Sequence, residues 1–251
     1  MLDLHCHLLP GIDDGPPDTD GMLALARAQV AAGVRTVACT PHVDWDMPNT
    51  AAGIAEAVAA ARAALAAAEV PLDVVAGAEV GLTRAAETDD AELAALRLAG
   101  GPWLLLEAPL STAVGVERIV QSIAMRGHRI LLAHPERSPA FQRDPEALGR
   151  LVQGGVLTQV TASALTGAFG STVQRFAERL MREGLVHVIA SDAHDATRRP
   201  PGLRQALERT GRGSRGAWLT ELVPAAIVAG EPIPPGPLLD EPRARRWWRR
   251  G

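Results

Sequence analysis

Six of the seven β-strands predicted from this sequence end in histidine, aspartate or glutamate, and this pattern constrains the fold more than any other feature. The strands are predicted at residues 1–5, 34–40, 72–78, 103–106, 129–133, 156–160 and 185–190. Helical segments follow them in regular alternation, which predicts a parallel sheet. Seven such units without a Rossmann-type opening turn predict an α/β fold, a closed or nearly closed (β/α)7 TIM-like barrel in one domain spanning residues 1–251.

Active sites of such barrels lie at the C-terminal ends of the strands. The opening stretch His5-Cys6-His7 would place both histidines on one face of a strand, since side chains alternate. The Pro-Gly turn that follows brings Asp13 or Asp14 back towards them. The chain then offers nine candidate metal ligands at the strand ends, namely His5, His7, Asp14, His42, Glu79, Glu107, His134, Asp192 and His194.

Five imidazoles and four carboxylates are too many ligands for one ion and enough for two or three. Nitrogen and oxygen ligands without thiolate suit Mn, Fe or Zn better than Ca or Mg. A purely structural role for all nine is disfavoured, because burying unpaired ionisable groups is costly. Clustered metals lower the pKa of bound water, so the predicted reaction class is metal-assisted hydrolysis. The remaining histidines, His128 and His187, are assigned to structure.

Arg137 follows His134 by three residues and could grip a phosphate through bidentate contacts. Two-metal sites can clamp the attacking and leaving oxygens of a phosphoryl displacement, which makes phosphate esters a suitable substrate class. The alternative is a surface arginine that pairs with Glu136 or Asp144, an arrangement that is common but weak.

Two rival enzyme classes are excluded by residue content. The chain contains no lysine, so a carboxylated lysine cannot bridge two metals as it does in many amidohydrolases, and Glu79 would be the natural bridging ligand instead. A cysteine phosphatase loop of the C-x5-R type would need arginine at position 12 or 45, where the chain has Ile12 and Trp45.

The net charge of -4 gives no reason to expect nucleic-acid binding. No apolar run approaches the roughly 18 residues of a membrane span, and the N-terminus lacks the pattern of a signal peptide. We therefore expect a cytoplasmic protein. Residues 240–251, rich in arginine and tryptophan, are expected to form a flexible tail, with a weak contact to an anionic membrane or acidic partner as the alternative.

The motifs together resemble the polymerase and histidinol phosphatase (PHP) superfamily, and more closely its bacterial protein-tyrosine phosphatases of the CpsB/YwqE type. The segments that carry this resemblance run in order from residue 3 to about residue 202. They are the opening motif through Asp13-Asp14-Gly15, Thr40-Pro41-His42, Gly77-Ala78-Glu79, Leu105-Leu106-Glu107, His134-Pro135-Glu136-Arg137, Ala168-Phe169-Gly170 and Ala190-Ser191-Asp192-Ala193-His194.

The resemblance implies a distorted seven-stranded barrel with three metal ions, usually manganese in activity assays, with Fe, Zn or Mg as alternatives. It implies a first metal held by His5, His7, Glu79 and Asp192. Glu79 would bridge to a second metal held by Glu107 and His134, and Asp14, His42 and His194 would hold the third. Arg137 would grip the phosphate, so that the predicted catalytic residues are Arg137, Asp14, His42 and His194.

The activity implied by the resemblance is phosphotyrosine hydrolysis, in which metal-bound hydroxide attacks phosphorus and the tyrosine phenolate leaves. The implied substrate is the phosphotyrosine tail of a membrane-associated tyrosine autokinase that controls capsule or exopolysaccharide synthesis. Two alternatives stay open at this point. One is a small-molecule phosphomonoesterase such as a histidinol phosphatase, and the other is a catalytically silent metal-binding module that docks on a kinase.

Overall fold

The structure, a computed structural model, describes residues 1–111, 115–210 and 213–237. Within these ranges nine short strands run through the chain, and every pair of neighbouring strands is parallel. They are β1 (Leu2–Cys6), β2 (Thr36–Cys39), β3 (His42–Val43), β4 (Asp73–Ala76), β5 (Glu79–Gly81), β6 (Trp103–Glu107), β7 (Arg129–Ala133), β8 (Leu157–Thr161) and β9 (Val188–Ala190). The result is an α/β fold with parallel sheets.

Helices alternate with the strands and cover them. They are α1 (Thr19–Ala32), α2 (Ala51–Ala67), α3 (Leu82–Glu87), α4 (Asp90–Ala95), α5 (Val116–Met125), α6 (Pro139–Arg143), α7 (Pro145–Gln153), α8 (Ala162–Leu165), α9 (Gly170–Arg182), α10 (Leu203–Thr210), α11 (Ser214–Ala217) and α12 (Val223–Ala229). A π-helical segment, Trp218–Leu222, joins the last two. No helix in the described ranges is both long enough and apolar enough to cross a membrane.

The long predicted helices form at their expected places because their ends carry suitable caps. Asp18 accepts a hydrogen bond from the backbone N–H of Gly21 at the start of α1. Gly33 ends the same helix in the left-handed conformation that glycine adopts without strain. The weak helix predicted at residues 92–98 is instead α4 followed by a 3-10 turn at Leu98–Gly100. The predicted tail at 240–251 lies outside the described residues.

The strands form two sheets, one of three strands in the order β1-β2-β4 and one of six in the order β3-β5-β6-β7-β8-β9. The first strand also meets the end of the last. Cys6 and Ala193 form a parallel bridge, and the N–H of Asp192 donates to the carbonyl of His5 at 2.8 Å. The ends of β1 and β9 therefore lie side by side, which brings the two ends of the chain's strand series together.

The structure corrects the prediction of seven strands, because two of the predicted strands are each followed by a further short strand that lies beyond the predicted bounds. Residues 34–40 give β2, and β3 starts only after Pro41, which has no N–H to donate to a sheet. Residues 72–78 give β4, and β5 starts after Gly77. A Cβ at Gly77 would lie 2.8 Å from a side-chain carbon of Leu98, so the chain needs glycine at this close approach.

The buried apolar residues form two clusters, and strand residues alternate between them. In β6, Leu104 and Leu106 belong to the larger cluster, which also contains buried residues of most helices. Leu105 belongs to the smaller one, together with Val223 and Ile227 of α12. We call the smaller cluster the apolar floor. Its buried members are Leu4, Ala38, Leu98, Trp103, Leu105, Leu131, Ala133, Leu157, Val188, Ala190, Val223 and Ile227.

Candidate metal centre

Six of the nine sequence-predicted ligands lie at or just beyond the C-terminal ends of strands. His42 and Glu79 are the first residues of β3 and β5, and Asp14 lies in the loop between β1 and α1. Some continue the alternation that builds the apolar floor, because Glu107 comes two residues after Leu105, and Asp192 comes two residues after Ala190. His134 and Asp192 have positive φ angles of 32° and 51°. Such angles are uncommon outside glycine and occur often where a functional side chain must be turned into a site.

Glu79 lies at the middle of the group, and its carboxylate contacts four imidazoles. Its Oε1 lies 2.7 Å from Nε2 of His134. Its Oε2 lies 3.1 Å from Nε2 of His5, 3.3 Å from Nε2 of His7 and 3.2 Å from Nδ1 of His42. The side chain of Glu79 is only 1% exposed, so these contacts replace water almost completely.

Asp192 closes one side of this group. Its Oδ1 lies 3.6 Å from the Nε2 atoms of both His5 and His7, and these two nitrogens are themselves 3.3 Å apart. Two imidazole nitrogens and a carboxylate oxygen thus converge on one small space. Atoms of His5, His7 and Asp192 that could bind a metal all lie within 4.8 Å of one another.

A second set of ligands lies nearer the solvent. Oδ1 of Asp14 is 3.1 Å from Nε2 of His194 and 3.5 Å from Nε2 of His42. The rings of His7 and His194 stack with their centroids 3.8 Å apart. His7 therefore contacts both sets, and ligand atoms of His7, Asp14, His42 and His194 also lie within 4.8 Å of one another. The side chain of Asp14 is 49% exposed, which marks the mouth of the centre.

Glu107 lies on the remaining side of the centre. Ligand atoms of Glu107, His42 and Glu79 lie within 4.8 Å of one another. Burial and the nearby carboxylate of Glu79 raise the pKa of Glu107. Burial would also raise the pKa of Glu79, but the imidazoles of His5 and His134 outweigh it and hold that pKa well below its usual range. The two carboxylates thus compete for positive charge, a competition that a bound cation would relieve.

The donor atoms fit metal ions on a test that is independent of the sequence motifs. Glu79 Oε2, His42 Nδ1 and His194 Nε2 are buried and have no hydrogen-bond partner of suitable geometry among the described residues. Buried polar atoms are normally hydrogen-bonded, so three unpartnered atoms within one cluster of donor atoms fit a site that binds metal ions. Neutral imidazole nitrogens and carboxylate oxygens are ligands that Mn, Fe and Zn accept.

Arg137 faces the centre rather than the surface. Its Nη1 lies 2.7 Å from Oδ2 of Asp192, and its guanidinium lies over the ring of Phe169 at 4.5 Å from the ring centroid. The surface pairing considered for it does not occur in the described part of the chain. Asp144 contacts Arg150, and the buried carboxylate of Glu136 accepts from the backbone N–H of Thr161 at 2.9 Å.

Three residues that contact the centre were not among the predicted ligands. Asp13 lies 2.7 Å from Nδ1 of His7, and Gln159 Oε1 lies 2.8 Å from Nδ1 of His5. Such contacts orient the ring of a metal-binding histidine. Arg199 donates a hydrogen bond from Nη2 to Oδ2 of Asp192 at 2.9 Å. A glutamine inside a predicted buried strand, residues 156–160, was an available signal for Gln159, while nothing in the sequence marked Arg199.

The two histidines assigned to structure lie away from this group. His128 is buried and contacts Arg97 and Asp90. Nδ1 of His187, just before β9, accepts from the backbone N–H of Thr158 at 3.2 Å. Burial lowers the pKa of His187 to about 4, so this ring is neutral near pH 7.

Known proteins resemble this chain over most of its length. The family described as "Capsular polysaccharide synthesis, CpsB/CapC" matches residues 1–222. Tyrosine-protein phosphatase YwqE of Bacillus subtilis is 34% identical over 209 residues, which are 82% of each chain. Tyrosine-protein phosphatase CpsB of Streptococcus pneumoniae is 28% identical over 217 residues, 83% of this chain and 88% of that protein.

The same two proteins appear in the structural comparison. A chain from the crystal structures of YwqE and CpsB, which are described there as unique metal-dependent tyrosine phosphatases, superposes with a TM-score of 0.81. Its sequence is 29% identical, and the match covers 95% of this chain and 99% of that one. The likeness therefore extends over nearly the whole chain.

Proposed function

The chain belongs to the CpsB/CapC family of capsular polysaccharide synthesis proteins, and from this premise we propose that it is a metal-dependent protein-tyrosine phosphatase. The observation that supports the proposal most strongly is the convergence at the strand ends. Four overlapping groups of histidine and carboxylate atoms, each within 4.8 Å, draw on all nine candidate ligands, and Arg137 lies against one of them.

We propose three metal sites within this cluster, with manganese as the preferred ion. His5, His7, Glu79 and Asp192 would hold the first metal. Glu79 would bridge to the second, which Glu107 and His134 complete, and Asp14, His42 and His194 would hold the third. The short contacts of Glu79 with four imidazoles support its bridging role. In this proposal the two sheets together form one distorted barrel. It has seven staves, because β2 with β3, and β4 with β5, each count as one interrupted strand.

When bound, such metals supply Lewis acidity towards the phosphoryl oxygens and a lowered pKa for a coordinated water. The chain itself supplies the orientation. The guanidinium of Arg137 can donate two parallel hydrogen bonds to phosphoryl oxygens, and the ring of Phe169 beneath it limits its rotation. The partly exposed side of the centre, with Asp14, His42 and His194, is where the phosphate ester would enter.

The reaction is hydrolysis of a phosphate monoester. The oxygen of water forms a new bond to phosphorus, the bond from phosphorus to the phenolic oxygen breaks, and inorganic phosphate and tyrosine are the products. The sequence contains no tyrosine, so the phosphotyrosine is not one of its own residues. We propose the phosphotyrosine tail of a membrane-associated tyrosine kinase that controls capsule synthesis, in agreement with the family description.

The test is phosphate release from a phosphotyrosine peptide and from histidinol phosphate, with added Mn and with a chelator, for wild type and His42→Ala. We expect Mn-dependent release from the peptide that the substitution abolishes. Activity on histidinol phosphate alone would replace this proposal with a small-molecule phosphatase. Release from neither substrate would indicate a silent metal-binding module. The cytoplasmic location stays a prediction from the sequence.

A further inference from the structure

A cavity of about 460 Å³ opens beside the metal centre, and the chemistry proposed above does not use it. Asp192 and Phe169 line it, and both also contact Arg137. The cavity and the proposed phosphate-binding arginine therefore share two walls. The other side of the cavity includes Arg198, Arg199 and Gln205, from the segment that follows His194.

The charges around the cavity leave one cation without a partner. Asp192 Oδ2 accepts hydrogen bonds from Nη1 of Arg137 at 2.7 Å and from Nη2 of Arg199 at 2.9 Å, so the negative charge of Asp192 is already balanced. Arg199 also lies 3.9 Å from Asp14. Arg198 is exposed, and no carboxylate in the described ranges forms an ion pair with its guanidinium. The cavity thus presents an unpaired positive charge next to the site where phosphotyrosine would bind.

Hydrogen bonds fix the backbone of the loop that carries Arg198. Oδ1 of Asp195 accepts from the backbone N–H groups of Thr197 at 2.6 Å and of Arg198 at 2.5 Å. The N–H of His194 donates to the carbonyl of Arg199 at 3.1 Å, and this bond closes the loop. A preorganised loop loses less conformational entropy on binding, which favours a specific contact.

We propose that this cavity binds an anionic side chain of the peptide substrate that flanks the phosphotyrosine, with Arg198 as the residue that selects it. The group is a carboxylate or a second phosphate, because a guanidinium recognises both through the same hydrogen bonds. This inference rests on the proposed phosphatase function and defines its substrate class. Arg198 acts on substrate choice and has no part in the hydrolytic step.

The experiment compares kcat/KM for four phosphotyrosine peptides of otherwise identical sequence. The residues on both sides of the phosphotyrosine are glutamate, glutamine, phosphoserine or arginine, and phosphoserine supplies the second phosphate without adding another phosphotyrosine to be hydrolysed. We expect wild type to favour the glutamate peptide over the glutamine peptide by about fivefold at low salt, the size typical of a partly exposed ion pair. The preference should shrink as salt screens the pair.

Two substitutions assign this preference to Arg198. In Arg198→Ala the ratio of glutamate to glutamine peptide should fall to about one, and in Arg198→Glu the arginine peptide should become the better substrate. Arg27→Ala is the matched control, because Arg27 is exposed on α1 and does not line the cavity. Since each ratio is measured within one variant, a small loss of stability does not change it.

Each outcome decides a separate point. A preference for phosphoserine flanks without one for glutamate identifies the anion as a second phosphate. An equal preference for both shows that either anion is sufficient. Hydrolysis of all peptides at equal rates by wild type would overturn the inference and leave the phosphatase function intact. A preference that survives in Arg198→Ala would also overturn it. If no peptide is hydrolysed in the presence of Mn, the proposed function fails and the inference fails with it.

Discussion

The apolar floor and the metal centre occupy neighbouring positions along the same strands, yet they depend on opposite physical effects. In β6 the floor residue Leu105 is followed two positions later by Glu107, and in β9 Ala190 is followed by Asp192. The floor removes apolar surface from water, which is favourable wherever shapes fit. The centre removes charges from water, which is costly unless each charge has a partner.

This difference separates stability from function within one fold. The floor contributes to the free energy of unfolding, whereas the centre contributes binding capacity and adds to stability only when its ligand atoms are satisfied. Buried atoms without hydrogen bonds, such as Glu79 Oε2 and His42 Nδ1, occur in the centre. Substitutions at the two levels should therefore produce different kinds of defect.

The largest effect is expected for Glu79→Gln, which removes the charge that contacts four imidazoles. Loss of a ligand shared by two proposed metals should lower Mn-dependent phosphatase activity by at least ~100-fold, since even indirect contacts to metal ligands are worth 10–100-fold. Steady-state kinetics at saturating Mn measure this. Glu56→Gln, at an exposed position on α2, is the matched control. Activity of Glu79→Gln within twofold of wild type would show that phosphatase activity does not depend on the carboxylate at the middle of the metal centre.

A floor substitution should have the complementary effect. Leu105 is fully buried, and Leu105→Ala should lower the free energy of unfolding by about 2–5 kcal/mol through lost apolar contact and the cavity left behind. Urea denaturation of the metal-free protein measures this change. Leu222→Ala, at a side chain that is 54% exposed, should change stability by less than about 1 kcal/mol.

The folded Leu105→Ala protein should still bind as much Mn as wild type. If the variant is fully folded by circular dichroism at low temperature and yet binds no Mn, then Mn binding depends on the apolar floor as well as on the ligands of the centre.

His187 gives a pH dependence that belongs to the packing and not to the centre. Burial lowers its pKa from 6.5 to about 4, so between these values the unfolded chain binds a proton that the folded protein does not. Stability is therefore lost as the pH falls from about 6.5 to 4, by up to about 3 kcal/mol. Urea denaturation of metal-free wild type and His187→Asn at pH 7 and pH 4 measures it.

The asparagine variant should lose less stability than wild type over this interval, since it has no ring to protonate. Equal losses in the two proteins would show that His187 is not held neutral by the fold. Gln121→Asn, in which an exposed side chain on α5 is changed, should behave as wild type.

The smallest effect is expected for a residue that supports a ligand without being one. Gln159 Oε1 lies 2.8 Å from His5 Nδ1 and accepts from it when Nε2 is the metal-binding atom. Gln159→Leu should weaken Mn binding by about 10–100-fold while kcat at saturating Mn changes less. Isothermal titration with Mn measures the affinity. An unchanged affinity would mean that the ring of His5 is fixed by its other contacts.

Much of this arrangement could be predicted because it follows from repeated local rules. Strand alternation placed His5 and His7 on one face, and the strand ends of a parallel sheet collect at one edge. The two additional strands, β3 and β5, could not be predicted from strand propensity alone. Gly77, for example, is required by the close approach of Leu98, a residue far along the chain.

Other features depend on backbone irregularities that carry no sequence signature. Asp3 and Cys6 both contact Gln29 on α1, although residues three apart in a regular strand lie on opposite faces. The register shift within β1 explains this. The positive φ of His134 likewise turns a side chain that simple alternation from Ala133 would place on the other face. Long-range packing sets both features.

The most direct test of the account is the number of Mn ions bound per chain, measured by elemental analysis after equilibrium dialysis of metal-stripped protein. We expect three Mn ions per chain for wild type, fewer for Glu79→Gln and three for Leu105→Ala in its folded state. Wild-type protein that is folded and binds no Mn would contradict the proposal that the nine clustered ligands form a metal centre.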